Sequence, residues 1–168
     1  MSADSSLKRC YARSVIFIAA VFLLRSPIQA ADKAIVSSNT FDLKLTQVPD
    51  TPCLSMATVQ GNPDKGPAVF VMKSVGVCKL PMHWHSFAES LVVVRGVKIE
   101  VPGQTPIRLR DGGFFYAPPH KVGGAVFAPN TLFFVSFDGG PLDTHYVDDT
   151  GKEISSKEAY NRLKHTQM

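Results

Sequence analysis

Two histidines and a glutamate near the middle of the chain could bind a metal ion. His83 and His85 are separated by one residue, and Glu89 follows after a short interval. Alternate side chains of an extended strand point to the same face, so the two imidazoles are expected to lie together. Residues 86–88 can turn the chain, which would direct the Glu89 carboxylate back at them. This ligand set is typical of non-haem iron and also suits manganese, zinc or nickel, so the sequence predicts one divalent metal ion.

A hydrogen-bonded cluster of polar side chains without a metal is the alternative interpretation. Burying two imidazoles and a carboxylate is costly unless every group is hydrogen-bonded or bound to a metal. The spacing of all three residues, in a chain rich in strand patterns, favours the metal site.

Short apolar or alternating runs recur along the chain, separated by glycine, proline, asparagine and aspartate. The stretch 97–101 alternates strictly between apolar and charged residues. Many such runs, spaced by roughly 8–12 residues, are typical of an all-β sandwich or barrel. Ser155 and Glu158 form a capping box, which predicts one short helix near the C-terminus. The predicted strands are 41–45, 68–72, 91–94, 97–101, 107–110, 114–116, 125–127 and 131–137.

The region around the histidines resembles the first motif of the cupin family. The matching residues are Gly76, His83, His85, Glu89 and Gly96. One more residue than usual separates the first glycine from the histidines, and the wider stretch 61–149 resembles small exported cupins in layout. The resemblance implies an all-β, double-stranded β-helix (a jelly-roll, RmlC-like barrel) of six to eight strands, with a metal at its mouth. It predicts one barrel domain at 31–150, after a leader, and a polar tail at 151–168 in which a short helix can form.

The second motif of the family is matched only in part. Gly112 and Pro118 fit, but His120 stands where the family has a glycine, and Gly123 stands where it has a histidine. Two interpretations follow. Either a local shift of the turn brings His120 to the metal as a fourth ligand, or the site has three protein ligands and His120 lies at the rim of the barrel.

The resemblance leaves two functions open. An exported cupin with an open metal site could be an enzyme with dioxygenase-like or isomerase-like chemistry on a small organic molecule. It could instead be a non-catalytic, metal-dependent binding or sensor module, because a fold does not determine a function. The residues expected to form the pocket walls are Met82, Leu91, Val93 and Phe115. By the same resemblance, regular edge strands and the apolar run 133–135 make a homodimer reasonable.

The first 30 residues have the layout of a secretory signal peptide. Lys8, Arg9 and Arg13 precede the apolar run 14–24, and a small residue, Ala30, ends the segment. A retained membrane anchor is the alternative, but the run is shorter than the roughly 20 residues that span a bilayer. We therefore expect cleavage after residue 30, export to the periplasm or medium, and no stable membrane association afterwards.

Loss of this leader would also change the charge of the chain. The whole chain has 18 basic and 14 acidic residues, of which four basic and one acidic residue lie in 1–30. The remaining 14 basic and 13 acidic residues give a net charge of +1. No basic cluster is left that would indicate nucleic-acid binding, so a small molecule is the expected partner.

Two cysteines, Cys53 and Cys78, remain after the leader. In an oxidising compartment such a pair usually forms a disulfide, and the loop between them would add about 3 kcal/mol to stability in the loop-entropy model. Two separate buried thiols are the alternative, because free cysteine packs as a small apolar residue.

Overall fold

The computed structural model describes residues 37, 39–40 and 42–165 of the 168-residue chain. The predicted leader, residues 1–30, lies outside them. The strands in this part are β1 (Thr46–Val48), β2 (Thr51–Gly61), β3 (Ala68–Ser74), β4 (Cys78–Trp84), β5 (Glu89–Val93), β6 (Val97–Glu100), β7 (Ile107–Leu109), β8 (Phe114–Ala117), β9 (Gly123–Phe127), β10 (Leu132–Phe137), β11 (His145–Val147) and β12 (Glu153–Ile154). One helix, α1 (Ser156–His165), follows them. No helix among the described residues is long and apolar enough to span a membrane.

The strands form two antiparallel sheets of six strands each. The order in the first sheet is β1-β2-β3-β10-β5-β8, and the order in the second is β12-β11-β4-β9-β6-β7. Strands that are distant in sequence therefore lie side by side, as in a jelly roll. The predicted all-β jelly-roll fold is confirmed. The expected number of six to eight strands is too low, because short strands at the sheet edges, such as the three-residue β1 and β7, extend both sheets.

The core fills the space between the sheets. In β10 alternate residues point inward, and Phe133, Val135 and Phe137 are buried. Phe127 of the second sheet stacks on Phe133 of the first, with ring centroids 4.3 Å apart and planes 9° apart. Burial of this alternating apolar set drives the two sheets together.

The first predicted strand, 41–45, is not found. Residues 43–45 are not in a strand, and the first strand begins at Thr46. The eleven-residue strand β2, which was not predicted, pairs with both β1 and β3. Its sequence, Thr-Pro-Cys-Leu-Ser-Met-Ala-Thr-Val-Gln-Gly, has no regular alternation, so pairing with two neighbours determines its conformation.

Cys53 and Cys78 form a disulfide with Cα atoms 5.2 Å apart. Cys53 lies in β2 and Cys78 begins β4, so the bond joins the two sheets. Cys78 is fully buried.

The predicted short C-terminal helix is confirmed, and it docks on the barrel. The backbone N–H of Glu158 donates to the Ser155 hydroxyl oxygen at 3.2 Å, which is one half of the predicted capping box. Ala159 is buried, and the Tyr160 hydroxyl donates to Thr51 Oγ1 at 3.1 Å. Strand β12 lies within the stretch predicted as a polar tail, so the second sheet continues beyond residue 150.

We expect replacement of both cysteines by alanine to lower the free energy of unfolding by about 3 kcal/mol, because the unfolded chain loses its cross-link. Urea unfolding of the double variant, of the oxidised protein and of the reduced protein would measure this. The reduced protein should behave like the double variant. Equal stability of the oxidised and reduced proteins would contradict the prediction.

Candidate metal centre in the barrel cavity

A cavity of about 570 Å³ lies between the two sheets. Most of the side chains that line it are apolar, and His83, His85 and Glu89 are among the polar ones. The volume is in the range of pockets that bind small molecules. The structure therefore brings all three predicted ligands to one cavity.

The two imidazoles lie at the end of β4, with ring centroids 5.0 Å apart. Nδ1 of His83 is 2.7 Å from the carbonyl oxygen of Pro81, and Nδ1 of His85 bonds to the carbonyl oxygen of Asp143. A carbonyl oxygen only accepts hydrogen bonds, so each Nδ1 carries the proton and each Nε2 keeps a free lone pair. Metal-binding histidines are typically oriented in this way.

Burial keeps both histidines neutral. Loss of water around the ring lowers the pKa of His83, and the neighbouring His85 lowers it further. Burial also lowers the pKa of His85, against the opposing effect of its hydrogen bond to Asp143. Neutral imidazole is the form that binds metal ions, so both rings are in the required state at neutral pH.

Glu89 is the first residue of β5 and lies near His83. Burial raises the pKa of its carboxyl group, while the attraction of His83 acts in the opposite direction. In the part of the chain that the structure describes, however, no three His, Cys, Asp or Glu side chains are grouped closely enough to hold a metal ion. The donor chemistry of the two imidazoles and the carboxylate fits a divalent metal, although the three side chains are not grouped closely enough in this structure to hold one.

Of the two interpretations of His120, the structure favours the residue at the rim over the fourth ligand. His120 is exposed and is not among the residues that line the cavity. Its φ of 60° is left-handed, the conformation that favours glycine, and its N–H donates to the His85 carbonyl oxygen at 2.9 Å. His120 thus takes the glycine position of the turn and lies beside Trp84, with ring centroids 4.7 Å apart. Gly123, which pairs with His83, lines the cavity but supplies no donor.

Two of the four predicted wall residues, Leu91 and Phe115, line the cavity. Met82 does not, because it alternates with His83 on β4 and points to the other face. Val93 points inward but is completely buried and is not among the residues that line the cavity. The structure therefore does not place these two residues in the cavity wall.

The loop 138–144 holds the segment between the predicted ligands, and the sequence did not indicate it. Besides its carbonyl bond to His85, Asp143 accepts a hydrogen bond from the Ser86 N–H at 2.9 Å. Its other carboxylate oxygen accepts one from His145 Nε2 at 3.2 Å. Burial acts to raise the pKa of Asp143, but these hydrogen bonds outweigh it and hold the pKa below its usual value.

Phe87 also depends on this loop. Its ring lines the cavity and lies so close to Gly139 that any Cβ at that position would overlap it. The conformation of the loop and the position of the Phe87 ring are therefore coupled.

Tyr146 is a further polar residue of the cavity that the sequence did not single out. It pairs with His83 across β11 and β4, and their ring centroids are 6.0 Å apart. Outside the cavity, His145 stacks on Trp84 at 3.8 Å, with ring planes 4° apart. Side-chain alternation explains both placements, since His83 and Tyr146 face inward while Trp84 and His145 face outward.

No family model matches the sequence, and no curated protein matches it either. Solved structures do match the fold. KdgF of Halomonas is 23% identical over 64% of this chain and 95% of its own, with a TM-score of 0.52. An RmlC-like cupin of Shewanella frigidimarina is 18% identical over 64% of this chain and 93% of its own, with a TM-score of 0.52. An acetylacetone dioxygenase of Acinetobacter johnsonii is 15% identical over 98% of this chain and 99% of its own, with a TM-score of 0.53.

This chain has the RmlC-like cupin fold, as the resemblance of its first motif implied. The identities are low, so the likeness describes the barrel and not its activity.

We expect Asp143→Ala to lower the free energy of unfolding by about 1–3 kcal/mol, because the Ser86 N–H loses a charged acceptor. Because the pKa of Asp143 is lowered in the folded state, its contribution to the free energy of unfolding is fully present above the usual aspartate pKa. That contribution is lost as the pH falls through the lower folded-state pKa. Urea unfolding at neutral and at acidic pH would measure both effects. Asp111→Ala, on an exposed residue, is the control, and equal loss in both variants would contradict the prediction.

Proposed function

We propose that this chain is a metal-dependent cupin that acts on a small organic molecule, with the metal held by His83, His85 and Glu89. The hydrogen bonds of both Nδ1 atoms to backbone carbonyls are the observation that carries the proposal, because they leave two buried Nε2 lone pairs in a ligand-sized cavity. Glu89, in the same cavity, supplies the third ligand in this proposal.

Each residue has a separate task in the proposed site. A divalent ion, when bound, supplies Lewis acidity or, as iron, redox chemistry. The backbone carbonyls of Pro81 and Asp143 fix the two imidazoles, and the apolar walls exclude water from the bound molecule. The Tyr146 hydroxyl, on the neighbouring strand, can donate a hydrogen bond to an oxygen of that molecule.

An enzyme with dioxygenase-like or, alternatively, isomerase-like chemistry is the function that we favour. The position of His120 outside the cavity supports it, because no fourth imidazole then competes with a substrate for the metal. The acetylacetone dioxygenase with a similar fold also supports oxygen chemistry in this proposal. A non-catalytic binding or sensor module is the alternative.

We also propose that the protein is exported, to the periplasm or the medium. The disulfide between Cys53 and Cys78 supports this, because such bonds persist in oxidising compartments. A mature N-terminus following residue 30 is the expected result of N-terminal sequencing of the native protein.

A homodimer is proposed as well, but not through the run 133–135. These residues belong to β10, a central strand, and Phe133 and Val135 are buried. Phe114 and Tyr116 on the edge strand β8 are 60% and 53% exposed and are better placed to meet a second copy.

Replacing both His83 and His85 by alanine should abolish stoichiometric metal binding, because both Nε2 donors are lost. The protein would be stripped with a chelator, reloaded separately with iron, manganese, zinc or nickel, and analysed for metal content. His120→Ala is the matched control and should retain the metal. Unchanged metal content in the double variant would exclude the proposed site.

The enzyme and the binding module differ in turnover. With acetylacetone as the first probe, the iron-loaded protein should consume dioxygen, and Glu89→Gln should reduce the rate at least tenfold. Oxygen uptake and product formation would be followed together. The binding module would be favoured if acetylacetone raised the melting temperature but neither it nor related small carbonyl compounds were turned over.

A further inference from the structure

The cavity continues well below the proposed ligands, as the strand register shows. His83 pairs with Gly123 in the second sheet, and Glu89 pairs with Phe137 in the first. We call this the donor level. Two residues further along the strands, Leu91 pairs with Phe115 and with Val135, and Ala125 pairs with Leu80 and with Ile99. All six residues of this middle level line the cavity, and none of them is polar.

The floor lies two residues further still. Phe133 and Phe127 line the cavity there, yet they are only 2% and 1% exposed. Their rings stack on each other and join the two sheets at this level. Four residues of a strand span about 13 Å, so the floor lies about that far below the donor level along the strands.

Among the residues of these three levels, the polar groups belong to the donor level. The Nε2 atoms, the Glu89 carboxylate and Tyr146 belong to the donor level, whereas the middle and floor levels offer only aliphatic and aromatic groups. An apolar cavity of this kind binds apolar molecules, because water gains no hydrogen bonds inside it. A very small polar substrate would occupy only the top of the cavity.

From this division we infer that the substrate or ligand is amphipathic: an oxygen-bearing head at the donor level and an alkyl or aromatic body that extends to the Phe127–Phe133 floor. This deepens the proposed function, since the head rests on the proposed metal site, but the body is recognised by the walls alone. Ala125 is the specificity-determining residue of the middle level, because it is the smallest side chain there and leaves the space that the body fills.

The first test is a chain-length series. Zinc-loaded protein would be titrated by calorimetry with acetohydroxamate, butyrohydroxamate, hexanohydroxamate and octanohydroxamate, which share a metal-binding head. Burial of a methylene contributes enough for about a three- to fourfold gain in affinity. We therefore expect the dissociation constant to fall by about tenfold with each step of two carbons until the floor is reached.

The second test fills the middle level. Ala125→Leu should abolish the gain in affinity of the long chains over acetohydroxamate. Val126→Leu is the matched control, because Val126 is the next residue on β9 and pairs with Lys79 and Lys98 rather than lining the cavity. Leu91→Phe, with Val92→Phe as its control on the exposed face, fills the same level from the other sheet if the first variant does not fold.

A metal-free arm separates this inference from the proposed function. Chelator-treated protein would be titrated with hexanol and octanol, which need no metal. Tighter binding of octanol, lost in Ala125→Leu but kept in Val126→Leu, supports the amphipathic ligand even if the protein binds no metal. Equal affinity for all four hydroxamates in zinc-loaded protein overturns the inference and leaves the metal site in place.

Discussion

The candidate site depends on one constraint: the imidazoles of His83, in β4, and of His85, directly after it, donate their Nδ1 protons to backbone carbonyl oxygens. These bonds fix the tautomer, so each Nε2 keeps a free lone pair, and burial keeps the rings neutral by lowering the pKa of each. Without the carbonyls of Pro81 and Asp143, the two buried imidazoles would lack hydrogen bonds and would destabilise the fold.

The loop 138–144 holds the segment that follows β4 in the same way, through hydrogen bonds. Its Asp143 holds both His85 and the Ser86 N–H, and the Ala88 N–H donates to Asp138 Oδ1 at 2.9 Å. The segment 86–88 connects His85 to Glu89, so its conformation determines the position of Glu89 relative to the two histidines. The distance between Glu89 and the imidazoles is therefore controlled by a part of the chain some fifty residues away in sequence.

Local patterns allowed the prediction of the strands around the site, and of Leu91 and Phe115 as walls, because side-chain alternation depends only on neighbouring residues. Alternation from His83 also places Met82 on the other face, whereas Leu80 lines the cavity because the strand register shifts between Leu80 and His83. Alternation predicts that a side chain points inward but not that it lines a cavity, and Val93 is inward but completely buried. His120 was left with two interpretations because its place at the glycine position does not by itself give the conformation of the turn, and Asp143 was missed because its partners are distant along the chain.

The central claim is that His83 and His85 bind one metal ion through their Nε2 atoms, with Glu89 as the third ligand. X-ray absorption fine structure of the zinc-loaded protein tests it most directly. The account predicts two imidazole nitrogens at about 2.0–2.1 Å in the native protein and one in His85→Ala. A spectrum with no imidazole ligand, or one that is the same in both proteins, would contradict it.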